Sequence, residues 1–442
     1  MKPKPIEPQI KKGKLDNGIP IYTIENHLAP TIFIGGIFET GMITEAVRTG
    51  KPGLVSMLTG VMNRGTKTIA YDSLSERMSF VPYSFNVGGS FKSLYFQGQS
   101  LVKDADEMVK VGFELVTQPG FRDEDFSKVR NQLLDFAKKR RKTTRERAFY
   151  YMFDKIFNNH PYAYSDATEE SINQMSKDDI EKLQKKYFQP SILTIVMVGD
   201  MTHKEMTKLA NKYFGIWKSK SPAPAKTSIP AAQALDGREI KVYQDKEYTE
   251  STINIGFAPF NNIDEEDEEV IDVLNHILAS SALTSRIGIE LRDKRGLVYG
   301  VKSQLWSSGD PIGYWKFQTK TAPKNTEQVI GIIYTEIHKM LESGITDNEL
   351  NTAKKRLFGL MPFYVETPDD IATQTFDLLR HKKPLNTFDK KADRLLAVTK
   401  EKVLAAARKY FTLDKFIIVV DGPIEEHSLD SLKLQLPKSF KY

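Results

Sequence analysis

Two residues in the second half of the chain have the types and spacing to act together on a carbonyl. Arg292 is a permanent cation with a planar fork of donors, and Tyr299, seven residues on, is a phenol able to give one hydrogen bond. Donors of this kind, fixed before reaction, stabilise charge that develops on a carbonyl oxygen. Their positioning rests on the stretch Glu290 to Gly300, Glu-Leu-Arg-Asp-Lys-Arg-Gly-Leu-Val-Tyr-Gly. It reads as the last turn of a helix ending near Arg295, a Gly296 suited to the left-handed C′ position, and a strand beginning at Leu297. In such a corner the two side chains project the same way. Each also has a plain structural account, since a helix C-terminus favours Arg and a strand start commonly carries a half-buried Tyr.

Other chemistries find less. The seven histidines stand at 27, 160, 203, 276, 338, 381 and 427, so no helix offers an i, i+4 pair for zinc. His160 and His203 read as loop residues, and His276, in an apolar helical run, as a core histidine. With no cysteine, disulfides, thiolate metal sites and Cys nucleophiles are excluded. The basic run Lys138 to Lys142, with Arg145 and Arg147, reads as a solvated helix face, because no aromatic interleaving accompanies it. Asp264 to Glu269 reads as acid at a helix start, and Gly88-Gly89 lacks the Gly-Lys-Ser/Thr of a phosphate loop.

The composition is that of an ordinary globular protein, with 63 basic and 57 acidic residues among 442 and a net charge of +6. That balance argues against nucleic acid as a partner, and no apolar run is long enough for membrane insertion. The opening Met-Lys-Pro-Lys-Pro-Ile-Glu-Pro has no apolar signal core and reads as an extended leader, weak support for a periplasmic location that leaves the cytoplasm open.

The elements that must hold Arg292 and Tyr299 follow a repeated plan. An Asn17-Gly18 turn sets an opening hairpin, Thr31 to Phe38 is a strand, and a helix starts after Lys51-Pro52-Gly53. Paired strands over 80–99 and helices over 103–117, 123–142 and 145–157 come next. Lys186-Tyr187-Phe188 closes a helix before the strand Ile192 to Val198, as Lys409-Tyr410-Phe411 does before Phe416 to Val420, 223 residues later (410 − 187). Gly120 to Phe126 and Gly344 to Leu350 open helices at an offset of 224 (350 − 126). One shared offset predicts a duplicated domain. The expected division is 1–218, a Pro-rich linker over 219–233, and 234–442. Each half is expected to be α+β, a mixed and mainly antiparallel sheet with helices on one face.

The stretch Gly53-Leu54-Val55-Ser56-Met57-Leu58-Thr59-Gly60-Val61-Met62-Asn63-Arg64-Gly65-Thr66 resembles the zinc helix of the pitrilysin/insulinase family, the inverzincins, in its bacterial processing-peptidase-like branch. Active members carry H-x-x-E-H within this frame. Here Ser56 stands for the first His, Thr59 for the catalytic Glu and Gly60 for the second His. The third ligand, a Glu on a later helix, falls at Asp135-Phe136, and Phe136 cannot bind metal. The resemblance extends over nearly the whole chain, through His160-Pro161-Tyr162 and the linker to Ser285-Arg286 and Leu291-Arg292 to Tyr299. Ser280 to Thr284 departs from the family's glycines there.

In that family the Arg/Tyr pair completes the active site from the domain facing the zinc helix. The resemblance therefore implies a half-clamshell of the processing-peptidase type with no zinc or other cofactor in this chain. It implies a zinc-less subunit of a heterodimeric metallopeptidase, in which a homologous partner holds the zinc and Arg292 and Tyr299 act in trans on short or unfolded peptides held by strand addition. The alternative from another class is an inert structural or peptide-binding subunit like the respiratory-chain core proteins, for which the pair has no catalytic consequence.

Overall fold

The structure is a computed structural model describing residues 4–41, 50–140, 142–163, 167–219, 229–261, 263, 265–307 and 312–429. Most of the expected linker, 220–228, together with Asp264, Arg141 and the first three residues, lies outside them. The chain divides into two compact units, Met1–Ala137 with Tyr164–Ile229 and Met361–Lys390, and Lys138–Ala163 with Pro230–Leu360 and Lys391–Tyr442.

Unit 1 is built on a six-stranded sheet. Its strands are β1 (Lys11–Lys14), β2 (Pro20–Glu25), β3 (Thr31–Phe38), β4 (Tyr83–Gly89), β5 (Leu94–Leu101) and β6 (Leu193–Gly199), in the order β1-β2-β6-β3-β5-β4. Gly18 turns the first hairpin at φ +90°, and Lys14 pairs with Pro20. Unit 2 has β7 (Arg238–Gln244), β8 (Ser251–Phe257), β9 (Val301–Ser307), β10 (Gly313–Thr321) and β11 (Phe416–Gly422), in the order β7-β11-β8-β10-β9. Apart from β1 the two orders coincide. Each sheet has a single parallel pair, β2 with β6 and β7 with β11, and is otherwise antiparallel. The duplication is therefore carried in the strand order as well as in the sequence. Gly199 and Gly422 close the matching strands at the same φ, +156°, and a Cβ at either would meet the carbonyl oxygen of Thr31 or Glu250 across the ladder.

The sheets are covered on both faces, not one. Helices Leu54–Met62, Ala105–Thr117 and Lys177–Tyr187 bury Leu58, Val109, Leu183 and Tyr187 against Ile195 and Met197 of β6. On the opposite face Val196 and Val198 pack with Ile371 and Phe376 of helix Pro368–Arg380. Helix Thr144–Ile156 does the same for β8 and β11 in unit 2. The glycines beneath these two helices allow the approach: a Cβ on Gly35 would lie 2.7 Å from the Phe376 ring, and one on Gly256 2.4 Å from Ile156. The signal for two covered faces was in the sequence, because Leu193–Gly199 and Phe416–Gly422 are nearly continuous apolar runs without the polar alternation of a half-exposed strand.

Four smaller expectations are corrected. Phe80 ends helix Tyr71–Phe80 rather than opening a strand. Of the two histidines expected in loops, His160 lies in a bend as expected, though buried, and His203 does not. His203 is the first residue of helix His203–Ala210, and His160, 3% exposed, bonds the Pro230 carbonyl through Nε2 at 2.9 Å. The basic run is not wholly solvated either. Arg140 is buried with its guanidinium 3.6 Å from the Tyr150 ring centroid, and Arg147 forks onto Asp421 at 2.5 and 2.6 Å. Among the acidic residues Glu269 is buried and pairs with Arg394 through two bonds, which a helix dipole alone does not explain.

Candidate functional site

The helix that resembles a zinc helix, Leu54–Met62, starts at Gly53 in the left-handed region, φ +88°. Leu54, Val55, Met57, Leu58, Val61 and Met62 are buried in the core, Thr59 is buried as well, and Ser56 and Gly60 are half-buried. Thr59 is spent on its own helix, its hydroxyl donating to the Val55 carbonyl at 3.0 Å. Gly60 admits Val129 of helix Asp123–Lys139 so closely that a Cβ at 60 would sit 2.8 Å from the Val129 Cγ1. Asp135 and Phe136 are both exposed. Among the described residues there is no group of three or more His, Cys, Asp or Glu able to hold a metal ion. The residues present do not fit zinc, and the space a second histidine would need is filled by a valine.

The Arg292 corner is built from its N-terminal side. Ser285 accepts from the Gly288 N–H, and Arg286 is clamped to Glu349 by bonds of 2.5 and 2.8 Å and to the Gly344 carbonyl at 2.9 Å. The turns then widen into a π-helix over Ile289–Asp293, with Lys294 N–H donating to the Ile289 carbonyl at 2.9 Å. Lys294 and Arg295 both bond the Glu290 carboxylate and hold its pKa down to about 2. Gly296 takes the left-handed conformation at φ +60° as expected, and Leu297 N–H returns to the Leu291 carbonyl at 2.8 Å.

The strand does not begin at Leu297. It begins at Val301, because the carbonyls of Leu297 and Gly300 accept from the hydroxyls of Thr321 and Thr319, both at 2.7 Å, instead of entering a ladder. Tyr299 is thereby held on a bend, 88% exposed, and the Arg292 guanidinium lies 4.8 Å from its ring centroid. The structure thus brings Arg292 and Tyr299 together. A cation over a phenol face is attractive by about 0.5–1 kcal/mol at an exposed site, enough to orient both groups without burying either. What the sequence reading missed was Val129, signalled only by a glycine at 60 where a ligand should be.

The chain matches the family described as peptidase M16 inactive domain over residues 174–357. It is 25% identical over 373 residues to the non-peptidase homolog YmxG of Helicobacter pylori, covering 83% of each chain. Among solved structures, the peptidase M16 inactive domain from Pseudomonas fluorescens superposes with a TM-score of 0.83 at 21% identity, over 94% of this chain and 98% of that one. The periplasmic protease PqqL from Escherichia coli superposes with a TM-score of 0.77 at 16% identity, over 96% of this chain but 46% of that protein. In keeping with the pitrilysin/insulinase resemblance of its sequence, residues 174–357 match the peptidase M16 inactive domain, and the chain is similar over most of its length to a non-peptidase homolog and shares the fold of a peptidase M16 inactive domain.

Proposed function

We propose that this chain is the zinc-less subunit of a heterodimeric metallopeptidase, presenting Arg292 and Tyr299 to the active site of a homologous, zinc-bearing partner. The carrying observation is the contrast between the two sites. The zinc-site positions hold Ser56, Thr59, Gly60 and Phe136, while Tyr299 stands exposed beside Arg292. Tyr299 donates to the oxyanion that forms as a peptide bond is attacked, and Arg292 holds a substrate carbonyl. Metal and water activation belong to the partner, and the substrates are short or unfolded peptides. The length of the periplasmic protease supports this reading, since what it has beyond the matched 46% is what the partner would bring. That this neighbour is a periplasmic protein also supports a periplasmic location of this chain.

One observation favours the inert alternative: the guanidinium is already engaged on the phenol ring. Tyr299→Phe separates the two, because it keeps the ring and removes only the donor. Assayed as a mixture with the co-purified partner, it is expected to lower kcat by about 10²–10³-fold, the effect of losing one oxyanion donor. An unchanged kcat in the mixture sinks the trans-catalytic reading and leaves the inert one.

A further inference from the structure

Among the described residues β4 is the last strand of the unit 1 sheet and pairs only with β5, so one side of it is an edge with no strand beside it. In an antiparallel ladder alternate residues turn both N–H and C=O outward, and an added strand bonds those residues two points at a time. Val87 is one of them. Its N–H donates to the side-chain oxygen of Asn63 at 2.8 Å, and its carbonyl accepts from the side-chain nitrogen of Asn63, also at 2.8 Å. Nδ2 also lies 3.1 Å from Asn86 Oδ1. An amide side chain has the same donor and acceptor pair as a peptide unit, so Asn63 makes the contact that an incoming strand would make.

Nor is Asn63 a loose surface residue. It is the C-cap of helix Leu54–Met62, its own N–H bonded to the Thr59 carbonyl at 3.1 Å, and its side chain is half-buried. We propose that Asn63 is a plug that closes the free edge of β4 to extended peptides. The edge lies beside the helix whose metal-ligand positions are empty, so a peptide captured there would be held where this chain has nothing to cut it with. The plug concerns the chain by itself and does not rest on trans-catalysis.

The test uses the full chain, a fluorescein-labelled unstructured peptide of alternating valine and threonine, and hydrogen exchange at the Val87 amide. In the wild type that amide is expected to be protected and peptide binding weak. Asn63→Ala is expected to expose the amide and to bind the peptide on the order of tenfold more tightly, two modest hydrogen bonds no longer having to be displaced. Added peptide then restores the protection. Asn63→Asp keeps the acceptor for the Val87 N–H and loses the donor to its carbonyl, so protection persists while affinity rises by less. Three results overturn the proposal: Val87 equally protected in Asn63→Ala, an exposed amide with unchanged peptide affinity, or self-association of that variant without a gain in peptide binding. Should Asn63→Ala not fold, an unchanged affinity in Asn63→Asp overturns it as well.

Discussion

At position 60 a hydrogen in place of a side chain lets helix Asp123–Lys139 close on helix Leu54–Met62, and this contact removes the room for a metal as surely as the missing ligands do. Gly60→Ala is expected to cost about 1–3 kcal/mol, the usual penalty for overpacking, despite alanine's better helix propensity. Adding Val129→Ala should recover part of that loss, and urea denaturation of the single and double variants shows the non-additivity. For the same reason the triple change Ser56→His, Thr59→Glu, Gly60→His is expected to bind no stoichiometric zinc by metal analysis, with Phe136 still in the third position. A separate residue-scale effect comes from His160. Burial holds its pKa below the ordinary 6.5, and its neutral form is satisfied by the Pro230 carbonyl and the Tyr162 N–H. As pH falls through 6.5 the unfolded chain takes up a proton that the folded one refuses, so stability is lost in that direction and regained on raising pH. The His160 ring signals should titrate with a midpoint under 6.5 in an NMR pH series; a midpoint above it contradicts the burial account.

Among the elements, helices Thr144–Ile156 and Pro368–Arg380, each covering one face of its unit's sheet, hold on by different chemistry at matching positions. Residue 371 is 224 positions after 147 and residue 421 is 223 after 198. In unit 1 the pair is Ile371 with Val198, in a fully apolar cluster. In unit 2 it is Arg147 with Asp421, a carboxylate at 0% exposure, and Asp245 adds a third charge at 2.8 Å from Arg147. Burial pushes the Asp421 carboxyl up and Arg147 pulls it back. Asp421→Ala is expected to cost roughly 1–3 kcal/mol, because Arg147 loses its buried partner but keeps Asp245, whereas Arg147→Ile with Asp421→Val, which copies unit 1, should approach or exceed wild-type stability. Thermal unfolding of the two variants decides it. This layer also marks how far the sequence was legible. The common offset of Tyr187 and Tyr410 predicted the duplication that the strand orders carry, and the amphipathic runs placed helices to within a few residues. Amphipathicity says that a helix buries a face but not which sheet receives it. The start of β9 was misjudged because Thr319 and Thr321, some twenty residues on, take the carbonyls that local propensity assigned to a ladder.

For the molecule as a whole, the consequence is that each compact unit borrows a helix from the other half of the chain. Segment Met361–Lys390 belongs with the unit 1 sheet and Lys138–Ala163 with that of unit 2. A chain cut at the linker into 1–218 and 234–442 separates each sheet from one of its covers. The first piece loses the helix that buries Val196 and Val198 beneath Ile371 and Phe376, leaving an apolar sheet face open to water. At about 25 cal/mol per Å² of apolar surface, one helix face of this kind outweighs much of the 5–15 kcal/mol by which a domain is usually stable. Neither piece is therefore expected to fold to its native state alone: each should bind a hydrophobic dye, unfold without a cooperative transition, and regain both properties when the two are co-expressed. Independent cooperative folding of 1–218 would show that helix Pro368–Arg380 is an accessory to its sheet rather than a part of its core.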